Sequence, residues 1–147
     1  MVNLVKDNVF LQKVLTKQLF AVLATEQDQK PYTNMVAFIV LDNLANIVFA
    51  TNRNTHKYSN IIANSNVALL FDSRSNKSSD LSEALAITAV GLATETSEQE
   101  KLKLLPYFTK KHPSLFEFIN SKETAMIKVS VSEYIIARFK NVKRVSL

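Results

Sequence analysis

The sequence predicts a mainly β (α+β) protein: six or seven antiparallel strands closing, or nearly closing, into a barrel, with an N-terminal helix and short peripheral helices. Runs rich in Val, Ile, Phe, Tyr and Thr recur along the chain between short polar connections, which is the pattern of strands joined by turns. Helical spacing of apolar residues is confined to the N-terminal segment and a few short stretches. The only glycine, Gly91, falls inside a strand-like run, where it marks a bulge or a close backbone approach of the kind that lets a sheet bend. Closure also removes exposed strand edges.

Val5, Val9, Phe10, Val14 and Leu15 lie at helical spacing, so residues 4–17 are expected to form an amphipathic helix with its apolar stripe on the core. Strands 19–26, 32–41 and 46–51 follow as a meander, joined by Gln27-Asp28-Gln29-Lys30 and Asp42-Asn43-Leu44-Ala45. With one glycine in the chain, positive φ at these turns is expected to fall to Asn and Asp. Thr55 caps a short helix over 55–64. Residues 67–71 read as a buried strand, 73–80 as a polar Ser-rich loop and 84–94 as a fifth strand. Ser97-Glu98-Gln99-Glu100 has capping-box spacing and opens a helix with apolar positions at Leu102, Leu104, Leu105 and Phe108. Pro106 is expected to kink or split that helix. Pro113 starts another, through Leu115, Phe116, Phe118 and Ile119, and 125–131 and 134–139 are two final strands.

With 147 residues and neither repeat nor linker, the chain 1–147 reads as one domain, long enough to bury about 68–70% of its unfolded surface. The lack of cysteine excludes disulfides, thiolate catalysis and Cys-based metal centres, and fits a reducing compartment. His56 and His112 are the only histidines and lie far apart, so no metal site is expected. The amino terminus mixes apolar residues with Lys6, Asp7, Gln12, Lys13 and Lys17, unlike a signal peptide. No run approaches the roughly 20 apolar residues of a membrane helix. A cytoplasmic protein with no membrane partner is the expectation. The net charge of +5 raises the question of nucleic acid, but basic residues are scattered apart from Lys110-Lys111 and the group Arg138, Lys140, Lys143 and Arg144. Without an RNA-reading glycine–aromatic signature, nucleic acid is not the expected partner.

The segment Ala50-Thr51-Asn52-Arg53-Asn54-Thr55-His56-Lys57 places hydroxyls and cations where a strand gives way to a helix. Cations in a first turn oppose the helix dipole, at about 0.3–1 kcal/mol each when charged and exposed. No Asp or Glu lies between Asp42 and Asp72, so a bound anion, most naturally a phosphate, is the expected counter-charge for Arg53 and Lys57. A solvated basic helix start is the alternative.

Leu23-Ala24-Thr25, Pro31-Tyr32, Val36-Ala37-Phe38, Phe49-Ala50-Thr51, Thr55-His56-Lys57, Asn60 and Val67-Ala68-Leu69-Leu70, in that order, resemble the pyridoxamine 5'-phosphate oxidase-like family of FMN-binding split barrels. The likeness is densest from Leu23 to Asp72; beyond Ser82 it rests on the succession of a long strand, a helical excursion and final strands. It implies a split β-barrel that forms a homodimer with FMN in the groove between subunits. The FMN phosphate would sit at the end of the third strand and the following helix, and its ring against the second strand. Carried over, Ala50, Thr51 and Asn52 match the strand-end segment, Thr55 a Ser or Thr beside the phosphate, and Lys57 a phosphate-binding lysine; Val36, Ala37 and Phe38 would border the ring. Arg53 has no counterpart in the likeness and rests on the charge argument alone. The chain departs from oxidase members at His56, where they carry Arg, and at Met35 and Val40, where they carry basic residues. It also lacks their Trp- and Arg-bearing carboxyl-terminal segment, so pyridoxamine phosphate is not the expected substrate. Other branches bind deazaflavin, reduce flavin or handle haem.

An FMN-dependent oxidoreductase of a small molecule is therefore the leading expectation, with a flavin carrier or sensor, or a haem-binding member, as alternatives. No acid/base residue stands out. His56 could meet the phosphate or a substrate anion. His112 could ligate haem, or merely precede the helix at Pro113. Tyr32, Tyr58 and Tyr107 could border a pocket, or belong to the core.

Overall fold

The computed structural model describes residues 4–41 and 44–147; Asp42 and Asn43 of the second connection, and residues 1–3, lie outside them. The order is α1 (Leu4–Lys17), β1 (Phe20–Gln27), β2 (Lys30–Val40), β3 (Asn46–Asn52), α2 (His56–Ala63), β4 (Asn66–Asp72), α3 (Asp80–Glu83), β5 (Ala86–Glu95), α4 (Glu98–Lys111), a 3-10 turn (Pro113–Leu115), α5 (Phe116–Asn120), β6 (Thr124–Arg138) and β7 (Asn141–Ser146). The sheet runs β3-β2-β1-β4-β5-β6-β7, and β3 also pairs with β6. Six strands thus close an antiparallel split barrel, and β7 extends it beyond β6.

The long β6 is what makes closure possible. One half, Thr124–Ser130, pairs with β3, while Glu133–Arg138 pairs with β7 along the same edge. The sequence predicts two strands here, 125–131 and 134–139, and none in the basic segment after Phe139. Both points are corrected: the strand is continuous, and Phe139-Lys140 turns it into β7, whose Lys143 pairs with Asp7 of α1 at 2.6 Å.

Alternation of side chains puts Val36 and Phe38 of β2, Ile47 and Phe49 of β3, and Ile127 and Val129 of β6 into the barrel interior with Leu11 and Leu15 of α1. The outward neighbours Ile39, Val48 and Met126 form a second core beneath Leu104, Phe108 and Ile119 of α4 and α5. Both faces of β3 and of β2 from Val36 onward are therefore covered, which explains the apolar runs there.

Gly91 fulfils both expectations. The β5–β6 register shifts between Val90 and Gly91, and a Cβ there would meet the Ser130 carbonyl oxygen at 2.2 Å. Its φ is not positive, so space rather than backbone freedom demands glycine. Positive φ falls instead on Asp28 (52°), Gln29 (63°), Leu44 (60°) and Asn76 (60°). In the two connections Asp28 follows the expectation, while Gln29 and Leu44 do not; Asn76 lies in the later polar loop. Asp28-Gln29 is a two-residue hairpin turn, whose right-handed strand twist favours positive φ at both positions. Leu44 is buried and its carbonyl accepts from the Tyr134 hydroxyl at 2.7 Å, contacts that offset about 1–2 kcal/mol of left-handed strain.

Pro106 neither splits nor ends its helix: α4 runs unbroken to Lys111. The proline is exposed, so water can take the carbonyl it leaves free, while Lys101, Leu104 and Phe108 hold the opposite face on the core. Ser97 caps α4 through the Glu100 amide at 3.1 Å, but Glu100 does not complete the box; its carboxylate meets Lys128 of β6.

Gly91→Ala should cost about 1–3 kcal/mol, the range for overpacking at a site that can yield only by moving backbone. Urea unfolding measures it; a midpoint equal to that of the parent would contradict the close approach.

Candidate functional site

At the end of β3 the chain turns sharply, and three side chains fix the turn. Thr51 Oγ1 and Thr55 Oγ1 lie 2.9 Å apart, Thr55 Oγ1 donates to the Asn52 carbonyl at 2.8 Å, and Asn52 Oδ1 accepts from the Asn54 amide at 2.8 Å. Thr55 also accepts from the Tyr58 amide, capping α2 as expected. From outside, the Arg53 amide donates to the Glu123 carbonyl ahead of β6 at 3.1 Å. The helix is anchored by Asn60, whose Nδ2 donates to Thr25 of β1 at 3.0 Å.

A cavity of about 400 Å³ opens beside this turn. Ala50, Thr51, Asn52, Thr55 and Lys57 line one end, and Val36 and Ala37 line one wall. Phe20, Met35, Phe108, Leu115 and Phe118 complete it. Lys57 is the only titratable side chain on that lining, and among the described residues no carboxylate pairs with it. Burial alone pulls its pKa below the ordinary amine value, since nothing opposes the desolvation. The arrangement is thus a cation and two hydroxyls at one end of an apolar, aromatic-walled space, with the first turn of α2 alongside. It suits a ligand with an anionic head and a flat apolar body.

Three of the sequence-derived site residues lie elsewhere. Phe38 is inside the barrel, edge-on to Phe71 at 4.7 Å, because strand alternation turns it away from Ala37. His56 is exposed, its ring 4.4 Å from that of Tyr32. Arg53 has a protein counter-charge after all. Its guanidinium is paired with Glu95 of β5 and donates to the Lys122 carbonyl at 2.6 Å. The premise that no acid reaches this corner therefore fails for Arg53 and holds for Lys57; an acid 42 residues away in sequence is invisible to a local scan. Glu95 also accepts from the Tyr58 hydroxyl at 2.6 Å, so Tyr58 braces α2 rather than bordering the cavity.

His112 is neither a simple spacer nor open to a ligand. It is buried, and its Nε2 donates to the Phe38 carbonyl at 2.8 Å. Desolvation lowers its pKa, outweighing the backbone hydrogen bond that raises it, so the ring is neutral. The aromatic wall was missed from sequence because Phe108, Leu115 and Phe118 read as ordinary core positions of helices. The surplus of apolar residues over what one short helix can bury was the only signal. Tyr107 lines a different depression, and Tyr32 packs on His56.

The sequence profile of a family described as pyridoxamine 5'-phosphate oxidase matches residues 10–136. No curated protein sequence matches the chain. Among solved structures, the chain is similar to the General Stress Protein 26 from Bacillus anthracis, with a TM-score of 0.72 and 20% identity over 97% of this chain and 98% of that one. It is similar to a heme binding protein from Mycobacterium smegmatis, with a TM-score of 0.81 and 12% identity over 92% of this chain, which spans only 55% of that longer protein. A FAD-binding protein from Mesorhizobium loti gives 0.66 and 17% identity, over 87% and 91% of the two chains. At these identities the likenesses speak for the fold. Among the described residues no helix is long and apolar enough to cross a membrane.

The Arg53–Glu95–Tyr58 cluster carries a pH signature. Burial pushes the Glu95 carboxyl up, but Tyr58 and Arg53 together outweigh it and leave the group below its ordinary value of 4.5. A depressed folded-state pKa contributes stability that is complete above the unfolded value and is lost as pH falls through the folded one. Glu95→Gln is thus expected to unfold at lower urea than the parent at pH 7, with the gap closing as pH drops below about 4.5. A gap of constant size down to pH 3 would contradict the ion pair.

Proposed function

Because the chain belongs to the pyridoxamine 5'-phosphate oxidase family, we propose that the cavity beside the β3–α2 turn binds FMN and that the protein is a flavin-dependent oxidoreductase acting on a small molecule. One observation carries this reading: the unpaired Lys57 stands with Thr51 and Thr55 at one end of a space otherwise walled by aliphatic and aromatic side chains. In the proposed mode the phosphate accepts from Lys57 and from the amides that begin α2, whose dipole favours an anion there, while Thr51 and Thr55 hold the turn that presents them. The ring lies against the Met35–Ala37 segment of β2 and faces Phe20, Phe108 and Phe118.

When bound, the flavin supplies the hydride and electron chemistry. The chain's own contribution is binding, orientation and exclusion of water. The rigid turn, held by Asn52 and Thr55 inside and by Glu95 through Arg53 outside, needs no rearrangement to receive a phosphate. The aromatic wall dries the space around the ring. No lining residue other than Lys57 can exchange a proton, so protons would pass between flavin, substrate and solvent. That feature also favours, as a second reading, a carrier or sensor without turnover. The haem reading gains nothing from His112, whose Nε2 is already engaged.

In the same reading the functional unit is a homodimer. Phe20, Met35 and Phe118 stand 53%, 65% and 40% exposed at the rim of a site that one copy of the chain leaves open. A second copy would cover them.

An absorbance scan of the purified protein in the flavin bands, before and after adding FMN, tests the reading directly; absence of saturable binding would falsify it. Lys57→Ala is expected to weaken FMN binding by about 1.5–3 kcal/mol, the worth of a charge-assisted hydrogen bond, with unchanged folding. Equal affinity in variant and parent would remove Lys57 from the site. Turnover of NADH or NADPH with a panel of acceptors separates the two readings: full flavin occupancy without any turnover assigns the carrier.

A further inference from the structure

A second depression, of about 500 Å³, lies where α1, α4 and the C-terminal end of β2 meet. Ile39, Leu41 and Leu104 form apolar walls, Tyr107 stands at the rim, and Lys111 supplies the only charge that the described residues bring to the lining. Apart from Lys57, the other partly or fully buried cations among the described residues are well partnered: Lys101 with the carbonyls of Ser121 and Thr124, Lys128 with Glu100, Lys143 with Asp7, and Arg53 with Glu95. Lys111 has no carboxylate among the described residues. Its Nζ lies 4.0 Å from the centre of the Phe38 ring and makes one long contact, 3.3 Å, to the Leu15 carbonyl. That leaves an ammonium with donor capacity to spare in a largely apolar space, and its pKa falls to about 8 through desolvation alone.

We propose that this depression binds a monocarboxylate with an apolar body, its carboxylate on Lys111 and its body against Ile39, Leu41 and Leu104. The chemistry differs from that of the Lys57 cavity. Lys111 is the last residue of α4 and reaches a carbonyl in the final turn of α1, so the negative ends of two helix dipoles flank it. No helix N-terminus among the described residues opens here to hold a phosphate dianion, and the Thr16 hydroxyl on the lining is already given to the Gln12 carbonyl at 2.6 Å. A single negative charge satisfies the lysine, and the apolar walls reward a hydrocarbon or aromatic body. The volume falls within the usual range for small-molecule sites.

Calorimetric titration with octanoate and with octylammonium, which share a chain and differ in charge, tests the site on the unsubstituted protein. Octanoate is expected to bind saturably at one per chain and at least tenfold more tightly than octylammonium, shifting the amide resonances of Leu41 and Leu104. Lys111→Met should abolish the preference, and Lys57→Ala should leave it intact. Equal affinity for the two probes, a preference that survives Lys111→Met, or one lost in Lys57→Ala would overturn the assignment. The comparison of probes on the parent chain stands even if Lys111→Met does not fold.

Discussion

The antiparallel pairing of Asn46–Asn52 with Thr124–Ser130 is the contact on which the rest of the molecule depends. It joins segments almost eighty residues apart in sequence, so its loop-closure entropy is large and must be offset by what it buries. The return is the closed barrel. Ile47 and Phe49 complete the interior, Val48 and Met126 face the helices, and Gly91 lets β5 approach the Ser130 carbonyl where β6 passes from one neighbour to the next. The same pairing ends at the β3–α2 turn, which the Glu123 carbonyl then fixes through the Arg53 amide. The pairing that closes the barrel thus also places the β3–α2 turn.

Charge in that corner is divided between two cations with opposite fates. Glu95 arrives from the end of β5 and satisfies Arg53 and Tyr58 together, so one carboxylate braces both the turn and the helix it begins. Lys57, next in sequence to Tyr58, lines the cavity with no carboxylate partner among the described residues and is held below its ordinary pKa by burial. A half-buried cation with no carboxylate partner among the described residues is costly to the fold, and such costs concentrate at binding sites. The brace makes the cost sustainable, because the turn that carries Lys57 does not rely on Lys57 for its shape.

The helical excursion between β5 and β6 does more than cover the sheet. Phe108, Leu115 and Phe118 give the first cavity its aromatic wall, while Leu104, Tyr107 and Lys111, on the same helix, line the second. His112 ties the end of that helix to the middle of β2 through the Phe38 carbonyl, and Lys101 closes its beginning onto the carbonyls of Ser121 and Thr124. Both ends of the excursion are fastened by buried polar groups. Each cavity is lined in part by β2 and α4.

What the sequence determined by itself was the set of elements whose causes are local. Apolar spacing placed α1; alternation and short polar connections placed β1 to β5; Thr55 and Ser97 marked helix starts; and Gly91 marked the bulge. Family likeness placed the strand-end segment and Lys57, which do line the cavity. The tertiary structure decided everything that depends on residues distant in the chain. It joined 125–131 and 134–139 into one strand because β3 and β7 share its edge in succession, and it kept α4 whole through Pro106 because the proline faces water. It gave Arg53 a protein counter-charge, Glu95. It turned Phe38 inward, buried His112 on a backbone carbonyl, and gathered Phe20, Phe108, Leu115 and Phe118 around Lys57. Local backbone preference and capping act over a few residues and can be read in order along the chain. Which charge meets which, and which surfaces share a cavity, follow from closing the barrel, and no short stretch of sequence encodes that.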